Sequence, residues 1–277
     1  METAAGECAN CGAPLTAKYC AACGERRLER DHLKLSNFAA AAVEEITDLE
    51  HSKLLRTLQA LFLQPGLLTN EYLRGRRQSF IGPVKVYLTI FALSFLIYSI
   101  YQPTAVYDVQ TFLNQDSNGN WQTVLSAVEK KVHLPQNAVI AEVNTRWRSY
   151  VTLTQGLYPL GLAVLLQIIY LRSRRYFVEH LIFSLHFNSV AFGVFVLLWP
   201  VYAIVGLRFT LAYSIVSTVS LLLPLVWLLI AVRRVYGQSW SMTTLKSITV
   251  AIGYLIMSAL VSVATLGLAF LMLLRSG

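Results

Sequence analysis

The sequence contains few charged residues. Aspartate, glutamate, lysine and arginine make up 14% of its 277 residues, whereas an ordinary soluble domain has about 25%. Hydrophobic residues account for 55%, and the mean hydropathy is +0.52. This composition excludes an ordinary soluble domain and predicts an all-α integral membrane protein that crosses the bilayer several times.

Cysteine is absent beyond residue 23. The four cysteines, Cys8, Cys11, Cys20 and Cys23, form two Cys-x-x-Cys-Gly pairs. Two such pairs can share one tetrahedral ion, and the glycine after each pair suits a tight turn with positive φ. The pattern predicts one structural Zn²⁺ held by a zinc ribbon or knuckle in residues 1–30; the alternative is two disulfides.

Neither a cleavable signal peptide nor a common catalytic motif is visible. The first 60 residues contain no apolar run with a basic start and a small-residue cleavage site. The sequence has no G-x-S-x-G, no phosphate-binding glycine loop and no H-E-x-x-H. The sequence therefore indicates no catalytic residue. It favours a non-enzymatic role and leaves an enzymatic role open.

Apolar runs of near 20 residues predict a five-helix transmembrane bundle in residues 84–277. The link between the third and fourth spans, around Gly206, is short enough to force an antiparallel hairpin. Pro159, Pro200 and Pro224 lie inside three of the spans and predict kinks. The spans are predicted at about 84–102, 150–171, 181–206, 209–232 and 247–274.

Residues 103–149 are predicted to form an insert between the first two spans, on the far (periplasmic) side of the membrane. Asn118 and Gly119 predict a turn. Because the insert is too short for a core of its own, we expect it to lean on the spans or on the membrane surface. Two amphipathic helices are predicted, one with Trp121, Val124, Leu125 and Val128 on its apolar face, the other with Val139, Val143 and Trp147.

Basic residues near the span ends are distributed unequally. Ten lie on the side of the amino terminus and four on the other, which predicts a cytoplasmic amino terminus and a periplasmic carboxyl terminus in a bacterial inner membrane. The ten are Arg74, Arg76, Arg77, Lys85, Arg172, Arg174, Arg175, Arg233, Arg234 and Lys246; the four are Arg146, Arg148, Arg208 and Arg275.

This orientation places the cysteines in a reducing compartment, where zinc is favoured over disulfides. It also explains the net charge of +8 without nucleic acid, because basic residues beside spans attract anionic lipid. Arg74, Arg76 and Arg77 are candidate contacts of lipid headgroups.

Residues 31–83 precede the first span and carry two helical patterns. Ser36 is a candidate cap of the first helix. The second follows Ser52 and ends at Pro65 and Gly66. Such amphipathic helices are typical of the cytoplasmic membrane interface; a small soluble helical domain is the alternative. The apolar face of the second helix has Leu54, Leu55, Leu58, Leu61 and Phe62.

Polar residues interrupt the third span. Glu179 and His180 are expected at the interface, with His186 and Asn188 inside the membrane, where polar groups are costly and often functional. One interpretation is a site for a metal, proton or substrate, in which Glu179 orients an imidazole and His186 is the ligand or proton carrier. The other is hydrogen bonding between helices that fixes the bundle.

Three segments together resemble an uncharacterised bacterial family of polytopic membrane proteins with a zinc-ribbon head, known only as a domain of unknown function. They are the two cysteine pairs, the third-span opening at 178–189 and a pre-membrane signature. Glu25 is a departure, since the resemblance leads us to expect glutamine there. The resemblance implies no activity. The signature has Pro65, Gly66, Glu71, Tyr72, Leu73, Gly75, Arg77, Phe80, Pro83 and Tyr87.

The sequence favours a binding, sensing or assembly protein whose zinc ribbon contacts a cytoplasmic protein partner or the chain's own loops. A transporter or channel using the polar face of the third span is the main alternative, and an intramembrane enzyme with a site at Glu179, His180 and His186 is the second. Ser258 and Ser262 have the small-residue spacing that suits helix packing, either within the chain or in a homo-oligomer.

Overall fold

The computed structural model of the chain describes residues 7–15, 19–25, 51–101, 108–115, 119–205 and 210–276. Apart from isolated bridges in the first 25 residues, the regular elements among them are helices, including a short 3-10 turn at Leu171–Ser173. The α-helices are α1 (His51–Leu63), α2 (Leu67–Leu73), α3 (Pro83–Tyr101), α4 (Val109–Gln115), α5 (Asn120–Val132), α6 (Gln136–Gln155), α7 (Tyr158–Ile169), α8 (Phe177–Val205), α9 (Thr210–Tyr236) and α10 (Trp240–Ser276).

Four helices, α3, α8, α9 and α10, are long and apolar enough to cross a membrane. Helices α6 and α7 pass the same test only as a bent pair, so the described residues hold four candidate spans, or up to five if the pair counts as one. The predicted spans overlap these elements, and the chain has the length and composition of a multi-pass membrane protein.

The second predicted span differs from the structure. Residues 150–171 were expected to form one helix kinked at Pro159, but the helix breaks at Gly156 and Leu157. Pro159 is the second residue of α7, in the first turn, where a missing N–H costs little. Pro200 and Pro224 do lie inside their helices, as predicted. The expected helix at Ser36 lies outside the described residues.

One compact unit comprises residues 98–158 and 253–277. Its core joins α5 and α6 to the carboxyl end of α10, where Leu266, Ala269 and Leu273 are buried. Trp147 donates its indole N–H to the carbonyl of Ser262 at 3.1 Å. The insert therefore packs on the last span, which is one of the two placements predicted for it. Both insert helices are present, although Val124 is 44% exposed.

The other unit comprises residues 1–97 and 159–252. Within it α8 and α9 pack side by side, and the hydroxyl groups of Tyr202 and Ser220 lie 3.0 Å apart. The predicted link between them lies at residues 206–209, which are outside the described part. Helices α1 and α2 form a hairpin that packs on α8, and α2 also packs on α9.

The α1–α2 hairpin is fixed by a hydrogen bond that its own sequence makes necessary. A helical carbonyl at Leu61 would accept from the N–H of residue 65, but that residue is proline and has none. The indole N–H of Trp227 on α9 donates to Leu61 O instead, at 2.7 Å. Thr57, Ala60 and Leu61 form the buried face of α1.

The remaining contacts of the hairpin distinguish its packed face from its exposed face. The amide of Asn70 on α2 donates to the carbonyl of Arg234 at 3.2 Å. Leu55 is 72% exposed, so part of the predicted apolar face of α1 does not face the protein. The hairpin packs on α8 and α9 on one side and leaves apolar side chains such as Leu55 uncovered on the other. Its place at the membrane interface stays a prediction.

Gly66 is required at the turn of the hairpin, because its φ is +77° and a Cβ there would lie 3.1 Å from the carbonyl oxygen of Ala231. We predict that Gly66→Ala lowers the thermal unfolding midpoint in detergent more than Gly237→Ala. Gly237 has a φ of +64°, but a Cβ added there would meet no atom within 4 Å, so its variant carries only the cost of positive φ, about 1–2 kcal/mol. Equal midpoints would show that the contact with Ala231 is unimportant.

Candidate metal centre and its contacts

The four cysteine sulfurs converge on one point. Cys8 and Cys23 have sulfurs 3.6 Å apart, as do Cys11 and Cys20, and all four lie within 4.8 Å of one another. Sulfurs at the corners of a tetrahedron with 2.3 Å bonds to a central ion would be about 3.8 Å apart. The arrangement therefore fits one metal ion, and all four cysteines are free thiols here.

The two cysteine pairs have the same backbone turn. Gly12 N–H donates to Cys8 O at 2.9 Å, and Gly24 N–H donates to Cys20 O at 2.8 Å. The glycines have φ values of +76° and +74°, as the sequence predicted. Each pair therefore presents its sulfurs from a turn that a residue with a Cβ would strain.

Backbone groups tune the thiols of this cluster unequally. The N–H of Glu25 is the main reason that the pKa of Cys23 is lowered to about 7. The N–H of Ala13 alone would lower the pKa of Cys11. The hydrogen bond with Cys23, desolvation and the hydrogen bonds with the other two thiols outweigh it and raise this pKa to about 12. Metal binding at this cluster must release protons, since the ligands are thiolates.

The cysteine head is attached to the loop before α3 through Glu25. This carboxylate is only 3% exposed, and its Oε2 accepts the backbone N–H groups of Arg77 at 2.8 Å and Gln78 at 3.0 Å. The carbonyl of Glu25 accepts the N–H of Cys20 at 2.8 Å. One residue thus contacts both the metal-binding turn and the pre-membrane loop.

Side chains of the loop also donate hydrogen bonds to the head. Arg76 donates to the carbonyl of Ala9 at 3.1 Å, and Gln78 donates to that of Gly24 at 3.2 Å. Three arginines were predicted to contact lipid headgroups. Of these, Arg76 contacts the cysteine head, and the guanidinium carbon of Arg77 lies 4.3 Å from the centre of the Tyr72 ring. The side chain of Arg74 is 65% exposed, and headgroup contact by the three stays a prediction.

Behind the loop lies a small cavity that reaches the third predicted span. Arg76, Arg77 and Tyr72 border it on one side and His186 of α8 on the other. Its volume of about 10 Å³ is near the minimum for one water molecule. His186 is 2% exposed, and its Nδ1 lies 2.9 Å from the hydroxyl of Thr69 on α2.

The polar residues of the third predicted span have separate partners. Glu179 pairs with Arg175 at 3.1 Å rather than with an imidazole. The Nδ1 of His180 lies 2.7 Å from the hydroxyl of Tyr236, and the amide of Asn188 donates to the carbonyl of Ser184. Groups of three or more histidine, cysteine or acidic side chains whose ligand atoms lie close together can hold a metal ion. Among the described residues, the four cysteines form such a group.

Aromatic rings surround His180. Its imidazole stacks with Tyr236 and Tyr170, at 5.7 and 6.0 Å between centroids, and the ammonium of Lys246 lies 3.9 Å from the centre of the Tyr170 ring. Within the described residues, His180 Nε2 and the hydroxyl of Tyr170 are buried without a hydrogen-bond partner.

Fold and site together define the class: a multi-pass helical membrane protein with an amino-terminal four-cysteine site that can hold a metal ion. Within this class, residues 51–95 match the family model described as "Protein of unknown function (DUF3667)". The match covers the α1–α2 hairpin, the loop beneath the head and most of α3. Neither the curated proteins nor the solved structures give a match.

Sequence reasoning missed the roles of Glu25 and Thr69. Glu25 was noted only as a departure from an expected glutamine; its signal was a charged residue directly after the last Cys-Gly. Thr69 carries no local signal, because its partner His186 is 117 positions away in the sequence.

We predict one zinc ion per chain in the detergent-purified protein, measured by elemental analysis. A Cys20→Ser, Cys23→Ser double variant loses it, because two of four ligands are removed, whereas His186→Ala retains it. A second metal that disappears with His186→Ala would contradict this assignment.

We predict that Glu25→Ala releases the head from the loop, because it leaves two part-buried N–H groups without an acceptor, at a cost of about 1–3 kcal/mol. Glu25→Gln keeps a carbonyl oxygen and should remain docked. Hydrogen exchange at the amides of Arg77 and Gln78 measures the effect. Glu7→Ala, an exposed carboxylate in the same head, is the matched control; equal exchange in all variants would rule out the role of Glu25.

Proposed function

We propose that the protein is a membrane-bound binding or sensing protein, with its head in the cytoplasm of a bacterium and its spans in the inner membrane. A single Zn²⁺ on Cys8, Cys11, Cys20 and Cys23 folds the head, which serves as an interaction module. The observation that carries this proposal is the buried contact of Glu25 with the pre-membrane loop.

Zinc suits the site because four thiolates at tetrahedral corners are its preferred structural ligands. The ion supplies folding free energy to a segment too small to fold alone. Cysteines in the reducing cytoplasm remain available as ligands. The basic residues around the span ends favour the same compartment.

Metal occupancy can reach the membrane domain through a short series of contacts. Cys20 is held by the carbonyl of Glu25, and the Glu25 carboxylate holds the N–H groups of Arg77 and Gln78. The loop then borders the cavity at His186. Loss of the metal would unfold the turn that positions Glu25 and so free the loop.

In this scheme the loop is the first partner of the head. A cytoplasmic protein that binds the head, or a change in its metal content, would compete with the Glu25 contact. The loop would then move more freely, and this change in the loop is the signal that would reach the spans. The polar residues of α8 act here as fixed contacts, with His186 holding the α1–α2 hairpin through Thr69.

We predict that removing the metal with a chelator increases hydrogen exchange at Arg77 and Gln78 in the wild-type protein. The increase should be absent in Glu25→Ala, where those amides already exchange quickly. The amide of Val232, inside α9, is the internal control. Unchanged exchange at both loop amides after complete metal loss would refute the sensing scheme while leaving the metal site intact.

A test in cells separates this role from transport or enzymatic chemistry. If the proposal holds, the cysteine variant loses the cellular phenotype of the protein at normal abundance. Loss of phenotype in His186→Ala alone, with the protein still folded, would instead support transport or chemistry in the bundle.

A further inference from the structure

A second site lies in the unit that does not hold the head. A groove of about 600 Å³ runs between α4, α5 and α6 of the insert, and this volume is within the range of ligand pockets. Its lining belongs entirely to residues 98–158, so the contacts of the metal centre lie in the other unit. The insert is the segment predicted to lie on the periplasmic side of the membrane.

Side-chain amides form most of the groove. Two apolar residues complete its lining, Leu113 and Ile140, which are half-buried and pack on the core of the insert. None of the described residues that line the groove is charged, and none is aromatic. The groove is therefore a neutral surface of hydrogen-bond donors and acceptors with an apolar floor. The amides are those of Gln110, Asn114, Gln122, Gln136 and Asn137.

Two of these amides pair with each other. The amide nitrogen of Gln122 donates to Oε1 of Gln136 at 3.3 Å, and that of Gln136 donates to Oε1 of Gln122 at 3.2 Å. A side-chain amide has two N–H donors and two acceptor lone pairs, so the pair uses half of its capacity. This pair shows that one amide group of the groove can bind another through two hydrogen bonds.

The other amides are also only partly used. Asn114 Oδ1 accepts a hydrogen bond from the amide nitrogen of Gln110 at 3.3 Å, and Asn137 Oδ1 accepts the N–H of Ala138 at 2.9 Å. These bonds leave the amide N–H groups of Asn114 and Asn137 available, together with Oε1 of Gln110. All three side chains are exposed. The groove thus offers donors from α4 and α6 and an acceptor from α4.

The lining decides which ligand chemistry suits the groove. A charged group would leave water without gaining a counter-ion, which is costly. A peptide unit carries one N–H and one C=O, so it matches a side-chain amide group for group. In a helix these backbone groups are already bonded to each other, whereas an extended segment presents them. A saccharide is also neutral, but sugar rings are commonly held by stacking on aromatic side chains, which this lining does not supply.

We propose that the groove binds an extended, uncharged peptide segment of a partner protein. Its peptide units bond to the amides of Gln110, Asn114 and Asn137. An apolar side chain of the segment rests on Leu113 and Ile140. The segment is internal to the partner's chain, because a chain end carries a charge. In the predicted orientation the partner is periplasmic, so the protein would bind one partner on each side of the membrane.

Binding of a short blocked peptide to the purified full chain tests the proposal. The probe is a tetrapeptide of alanine with one leucine, acetylated at one end and N-methylamidated at the other, so it carries no charge. Its matched control has an ester in place of the central amide, which removes one N–H donor and keeps the shape. Saturation-transfer NMR on the leucine methyl groups measures both affinities.

We expect about fivefold weaker binding of the ester, the ratio that corresponds to about 1 kcal/mol for one hydrogen bond. Equal binding of peptide and ester by the wild-type protein would show that peptide units are not recognised. No binding of the peptide would show that the groove is not a peptide site. Either result overturns the proposal without any variant.

Variants locate the binding. Asn137→Leu and Gln110→Met remove hydrogen-bonding groups and roughly keep side-chain size, so each should weaken peptide binding severalfold. Asn120→Leu changes an exposed amide of α5 that is not part of the lining and should leave binding intact. Thermal unfolding checks that the variants are folded. Unchanged affinity in a folded Gln110→Met, Asn137→Leu double variant overturns the groove as the site.

A saccharide probe tests the other class of neutral ligand. Chitotriose carries acetamido groups on sugar rings and is offered at the same concentration as the peptide. We expect no saturation transfer to it. Binding of chitotriose in the absence of peptide binding would assign the groove to a saccharide and overturn the peptide proposal.

Discussion

The structure depends on one constraint: a polar group removed from water must find a partner inside the protein. Pro65 leaves the carbonyl of Leu61 without its helical donor, and Trp227 supplies the replacement from α9. This bond holds the α1–α2 hairpin against the spans, and Thr69 and His186 add a second buried pair. Because the hairpin is fixed, the loop after it has a defined position on which the cysteine head can dock.

The same constraint explains Glu25. A buried carboxylate is costly unless it is hydrogen-bonded, and Glu25 receives two backbone N–H groups that no helix or strand would otherwise satisfy. Its backbone carbonyl meanwhile closes the turn at Cys20. The residue joins a local metal-binding turn to a distant loop, so the stability of each should depend on the other.

Local features of the structure could be predicted from the sequence, and distant contacts could not. The cysteine spacing and the following glycines specify turns within five residues, and apolar runs specify the helices of four candidate spans. The break at Gly156 and Leu157 was missed because hydropathy measures apolarity rather than helix continuity. Glu25 and Thr69 act through partners that lie 52 and 117 positions away in the sequence. Such pairings follow from the packing of helices, which spacing along the chain does not encode.

The segment that matches the family model is the connection between the head and the spans. The matched segment, residues 51–95, contains the α1–α2 hairpin and the loop that donates to Glu25, but none of the cysteines and none of α8. A segment that served only to join two independent parts would be free to vary in length and sequence, since loops tolerate such change. Its contacts with both the head and the bundle give it a physical reason to keep its sequence, because a change there alters how the two are coupled.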